Sequence, residues 1–195
     1  YYSKFNSMDS KLIVYVFFPF CENLGEARTV VVWDMEDCPI PDGLDPGSIK
    51  LNIKSALEKK DYRGDVEIRA YGDKNQIPGY FTAATIILDP AGDKHARVKK
   101  MKSDLDRLVT RYLHREPLNL MVISRDKMDF ASSLRSWKET NWFNLLVAQP
   151  EDAPGKCYNS KLVGALVTQE WLWTSLSAGG EPLANRPELG AEYKS

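Results

Sequence analysis

The stretch TVVVWDMED, Thr29–Asp37, decides the fold together with its counterpart LNLMVISRDKMDF, Leu118–Phe130. Thr29–Trp33 is β-branched and continuously apolar, which predicts a strand buried on both faces, as at the centre of a parallel sheet. Leu118–Ser124 carries the same signature. Both runs break off into carboxylates: Asp34, Glu36 and Asp37 after the first, Asp126 and Asp129 after the second.

Working outward, a polar loop follows the first strand. Asp45 or Ser48 can cap the next helix, with Pro46 in its first turn. Ile49, Ile53 and Leu57 keep helical spacing to about Lys59. Val66–Tyr71, Thr82–Leu88 and Phe143–Ala148 read as further strands. A helix is predicted over Arg97–His114, with Val98, Met101, Leu105, Leu108, Val109 and Tyr112 on one face. A second covers Phe130–Glu139, turning Phe130, Leu134 and Trp137 inward. Strand and helix alternate, which argues for an α/β fold with a mainly parallel central sheet and helices on both faces. Such sheets place ligands at the carboxyl edge of their strands, where these acids stand.

Composition sets the outer bounds. The chain has 195 residues, 43% of them hydrophobic and 27% charged, with a formal net charge of -1. That is globular composition, enough for one domain plus tails. The charge balance excludes wholesale electrostatic wrapping of nucleic acid and leaves room for a local basic patch. Cys21, Cys38 and Cys157 lack metal-type spacing, and with only His95 and His114 beside them a structural zinc site is not expected. A reduced, intracellular protein is the expectation. No apolar run reaches the roughly 18 residues of a membrane span. Leu12–Phe20 reads as an extra strand or apolar segment in an extension over residues 1–28, with Met8 the natural initiator and Tyr1–Ser7 extraneous. The domain proper is expected over 29–178, followed by a disordered tail over 179–195 rich in Gly, Pro and charge.

Carboxylates gathered at one edge repel one another unless a cation sits among them. Oxygen-only ligands select Mg²⁺ or Mn²⁺, and such an ion activates water against a phosphodiester. The competing reading is plain capping of the following turns by Asp. Position +2 after Asp34 is Glu36, so the Asp-x-Asp of haloacid dehalogenase-like phosphatases is missing. No glycine-rich nucleotide loop and no nucleophile elbow occurs.

The strings VVVWDMEDCPIPDGLDPGSIKLNIKSAL, YRGDVEIRAYGDKNQIP, LNLMVISRDKMDFASSLR, FNLLVAQP and WLWTSLSAGGEPL resemble the NYN domain of the limkain-like kind found in plant proteins, over Thr29 to Leu183. NYN domains belong to the PIN-like nucleases. The resemblance implies a Rossmann-like three-layer α/β/α fold and Mg²⁺- or Mn²⁺-dependent cleavage of single-stranded RNA. Carried over by position, it implies catalytic roles for Asp34, Asp37, Asp126 and Asp129, and metal ligation by Asp34, Asp126 and Asp129. Glu36 matches the family's Glu. Two departures stand out. Arg125 replaces the glycine of the Ile-Ser-Gly-Asp motif, and ungapped counting puts Lys100 where the family carries an acid, with Asp104 or Asp106 as substitutes.

Asp93–Lys102, DKHARVKKMK, supplies a cationic stripe beside this edge. Lys94, Arg97, Lys99, Lys100 and Lys102, extended by Arg125, are expected to hold RNA phosphates. Trp171 and Trp173 alternate with Leu172, which predicts packing on the core over base stacking. The leading expectation is a metal-dependent endoribonuclease. The alternative is a pseudo-nuclease that binds RNA or protein without cutting, and a third reading is a hydrolase of another phosphoester. A homodimer or protein partner is left open. An acid from Asp104 or Asp106 beside Asp34 would favour cutting, and a Lys100 ammonium in the acidic cluster would favour binding alone.

Overall fold

The computed structural model describes residues 24–73, 86–90, 92–113, 115–153 and 164–184. Six strands form one all-parallel sheet: β1 (Thr29–Asp34), β2 (Val66–Gly72), β3 (Ile87–Pro90), β4 (Leu118–Ile123), β5 (Phe143–Gln149) and β6 (Gln169–Leu172). Their order is β3-β2-β1-β4-β5-β6. The two continuous apolar runs are indeed the central pair, and every residue of β1 and β4 is buried.

Alternate residues of β1 serve two cores. Val31 and Trp33 face α1 (Pro46–Glu58) and α4 (Trp173–Ser177), packing with Ile49, Ile53, Leu57 and Trp171. Val30 and Val32 face α2 (Lys94–Tyr112) and α3 (Ala131–Glu139), packing with Met101, Leu105, Leu134 and Trp137. Helices therefore cover both faces, the three-layer arrangement expected, and the sheet is consistent with a PIN-like α/β fold. Burying the strands on both sides is what their unbroken apolar sequence requires.

Local signals act as the sequence predicts. Asp45 caps α1, accepting from the amides of Gly47 and Ser48 at 2.8 and 3.1 Å, with Pro46 in the first turn. Trp171 and Trp173 are core residues. Most boundaries shift by a residue or two, and those of α2 and the third strand need comment. Helix α2 begins at Lys94, three residues before the expected Arg97, because Asp93 accepts from the Ala96 amide and caps it. The third strand runs on to Pro90; residues 82–85 of its expected span lie outside the described residues. So does the apolar segment Leu12–Phe20.

Ordered contacts continue past residue 178. Gly179 accepts from Lys59 Nζ at 2.6 Å, Glu181 pairs with Lys60 at 2.8 Å, and the Leu183 amide donates to Glu170 O at 2.7 Å. No helix among the described residues is long and apolar enough to cross a membrane.

Between β1 and β4 the strand order reverses, since β2 leaves on one side of β1 and β5 lies beyond β4. Connections diverge there and open a crevice at the carboxyl edge. Trp33 is in register with Ile123, so Asp34 and the Ser124–Asp126 turn emerge side by side at that crevice.

Candidate acidic centre and its cationic flank

Asp34 is the anchor. It ends β1 and is completely buried. Its Oδ1 accepts from the amides of Glu36 and Asp37 at 3.1 and 3.2 Å, so the loop turns tightly around the carboxylate. Cys38 closes the turn, its amide donating to Asp34 O and its carbonyl accepting from Trp33 Nε1. Burial pushes the Cys38 thiol up, so it stays protonated and is no nucleophile. Burial also raises the Asp34 carboxyl above its ordinary value. The Asp37 charge adds to this, while the Asp37 amide and Arg97 oppose it.

The partner of Asp34 is a side chain from α2. Arg97, 4% exposed, sends Nε to both Asp34 oxygens at 3.0 and 3.1 Å. Its Nη1 donates to Glu36 Oε2, and its Nη2 lies 3.8 Å from Asp37 Oδ1. One guanidinium thus spans the carboxylate that ends β1 and the two that follow it. Glu36 is fixed from its other oxygen by the Asp73 amide at 3.0 Å. Lys94, one turn earlier on α2, reaches Asp37 at 3.4 Å and Asp129 at 4.0 Å.

Asp126 and Asp129 reach the same edge from β4. Asp126 Oδ1 accepts from the Met128 amide at 2.8 Å, capping the short 3-10 turn Lys127–Phe130. That turn is pinned by two further contacts. Lys127 pairs with Glu170 at 2.6 Å, and Gln149 Nε2 donates to Arg125 O. Arg125 pairs with Asp152 at 2.7 Å.

The residues expected to supply or replace a family acid stand elsewhere. Lys100 bridges Asp89 and Asp104 at 3.0 and 3.2 Å, above the Tyr71 ring. Partial burial lowers its pKa, but hydrogen bonds to Asp89 and Asp104 outweigh that and hold the ammonium above its usual range. Asp104 is buried and accepts from Tyr71 Oη at 3.0 Å. Burial, with Asp104 beside it, pushes the Tyr71 phenol far up. Asp106 accepts from Trp137 Nε1 at 3.1 Å. Neither Asp104 nor Asp106 is thereby delivered to Asp34, and Lys100 does not enter the cluster. Arg97 does.

The cationic stripe is therefore divided. Arg97, Lys94 and Lys100 pair with acids of the edge and its flank, and Arg125 is engaged by Asp152. Lys99 and Lys102 keep their charge facing a groove along α2. The signal that could have found Arg97 is its phase. Arg97, Met101, Asp104, Leu105 and Leu108 fall at i, i+4, i+7, i+8 and i+11, the row of the core-facing stripe. Charged residues in that row must be buried with partners.

A divalent ion fits this centre poorly. Mg²⁺ needs near-octahedral oxygens at about 2.0–2.1 Å. Here both oxygens of Asp34 face the Nε of a permanent cation, whose other nitrogens fill the space towards Glu36 and Asp37. An ion among them would lie against a guanidinium. Among the described residues, no group of three or more His, Cys, Asp or Glu side chains is arranged to hold a metal.

A family model described as NYN domain matches residues 28–160. No curated protein matches the chain.

Proposed function

The chain belongs to the NYN domain family, within the PIN-like nuclease superfamily, and on that premise we propose that it binds single-stranded RNA without cutting it. Nucleases of this kind generally use divalent metal ions, and NYN domains generally bind RNA. The observation that carries the reading is Arg97 at the heart of the carboxylates.

The residues then have structural tasks. Arg97 relieves the repulsion among Asp34, Glu36 and Asp37. Both Asp34 oxygens face the Arg97 Nε, and Oδ1 accepts two backbone amides besides. Asp126 holds the 3-10 turn by its cap, and Lys94 shares Asp37 and Asp129. A general base must reach the proton it removes. His95 is exposed on α2 and has no acid partner to orient it among the described residues. The domain keeps the shape of a nuclease, with a guanidinium standing among its acids.

The test is fluorescence anisotropy with a labelled single-stranded RNA in Mg²⁺, Mn²⁺ or EDTA, followed by a gel of the same samples. The reading expects one affinity in all three conditions and full-length RNA in each lane. Affinity that collapses in EDTA, or shortened RNA that disappears with Asp34→Asn, would restore the metal-dependent endonuclease with Asp34, Asp37, Asp126 and Asp129 as its acids. No binding even at low salt would leave a protein-binding role.

A further inference from the structure

We infer that the RNA strand lies in the groove along α2, its phosphates on Lys99, Lys102, Arg107 and Arg111, and passes beside the acidic centre instead of over it. This rests on the RNA-binding reading above and adds where and how the strand is held.

The groove encloses about 1020 Å³ and runs the length of α2, from His95 to Arg111, with Asp129 at its edge. Its cations, Lys99, Lys102, Arg107 and Arg111, all line the groove and fan over about half the circumference of α2, Lys102 at one margin and Arg111 at the other. At 1.5 Å per residue, Lys99 to Arg111 spans about 18 Å, long enough for several nucleotides.

The decisive contrast is in the partners. Lys99 and Arg111 are exposed and have no carboxylate partner among the described residues. Lys102 sits 5.6 Å over the Phe130 ring and also lacks an acid there. Arg107 is largely exposed and touches Asp104 at 3.4 Å only through Nη1. The acids bordering the groove are already engaged, Asp106 by the Trp137 indole and Asp129 by Lys94. Excess positive charge therefore faces open space. At the acidic centre four carboxylates (Asp34, Glu36, Asp37 and Asp129) meet two cations, Arg97 and Lys94, so a phosphate there would be repelled. A polyanion matches the groove and not the centre.

The experiment measures binding of a labelled single-stranded RNA at several salt concentrations. It compares the full chain with a Lys99→Gln, Lys102→Gln, Arg111→Gln variant and with a Lys54→Gln, Arg63→Gln control away from the groove. Four phosphate contacts give a slope of log K against log salt of about -2.8, at about -0.7 each. The triple variant should bind at least ten-fold more weakly with a slope near about -0.7, and the control should match the parent. Arg111→Gln alone should remove about 0.7 from the slope, which keeps the test valid if the triple variant folds poorly. Parent-like affinity and slope in these groove variants would overturn the inference while the RNA-binding reading stands. Failure of the parent chain to bind at low salt would overturn both.

Discussion

Replacing Arg97 with Ala tests whether the guanidinium is the resident cation of the acidic centre. Arg97 is 4% exposed, and its first partner, Asp34, is wholly buried. Removing one member of a buried ion pair strands the other and costs about 3–5 kcal/mol. Here Asp34, Glu36 and Asp37 all lose a contact, while Asp34 keeps its two amide donors and Asp37 keeps Lys94. Those remaining contacts place the expected loss nearer about 3 than 5 kcal/mol. For a chain of this length each kcal/mol shifts Tm by about 2–4 °C, so the midpoint should fall by about 10 °C. Urea unfolding followed by tryptophan fluorescence measures this directly, because Trp33 lies in the core immediately before Asp34. Mn²⁺ should recover part of the lost stability in the Ala variant, by about 2.7 kcal/mol at a hundred times its Kd, and should leave the parent midpoint unmoved. A loss below about 1 kcal/mol, the scale of an exposed pair, would refute the reasoning.

Other expectations can be checked alongside. Asp45→Ala removes the cap of α1 and should cost about 1 kcal/mol in urea unfolding, since the amides of Gly47 and Ser48 lose their acceptor. Tyr71→Phe should flatten the loss of stability in alkali. Burial and Asp104 hold the folded phenol above its ordinary 10.0, so the unfolded chain releases that proton first. Its contribution is complete below about pH 10 and declines above it, which urea midpoints from about pH 9 to 11 will register. Lys127→Met leaves Glu170 half-buried without its 2.6 Å partner; it should destabilise the fold by about 3 kcal/mol on denaturant unfolding.

The central layer of the fold was legible because its residues answer to one force. Thr29–Trp33 and Leu118–Ser124 are apolar without alternation, and only a strand covered on both faces accommodates them. Helix α1 was equally plain, since Asp45, Pro46 and the Ile49–Ile53–Leu57 row agree with one another. The acidic edge was legible as a location and less so as a chemistry. Asp34, Asp126 and Asp129 do emerge at neighbouring strand ends, yet sequence spacing does not say which α2 side chain reaches them. That depends on how α2 crosses the edge, a property of packing on Val30, Val32 and Tyr71. Arg97 and Lys100 are both cations in one stretch; the crossing sends the first to Asp34 and the second to Asp89 and Asp104. Asp126 shows the same limit, because a capping Asp and a ligating Asp occupy the same place in a sequence. Here its Oδ1 caps the turn.

The most direct measurement is a single-turnover incubation, protein in excess, of a labelled single-stranded RNA with Mn²⁺ beside the Asp34→Asn, Asp126→Asn double variant. A centre occupied by Arg97 predicts RNA that stays bound and uncut in both samples. Cleavage by the parent chain that is lost in the double variant would contradict it and return the carboxylates to catalysis.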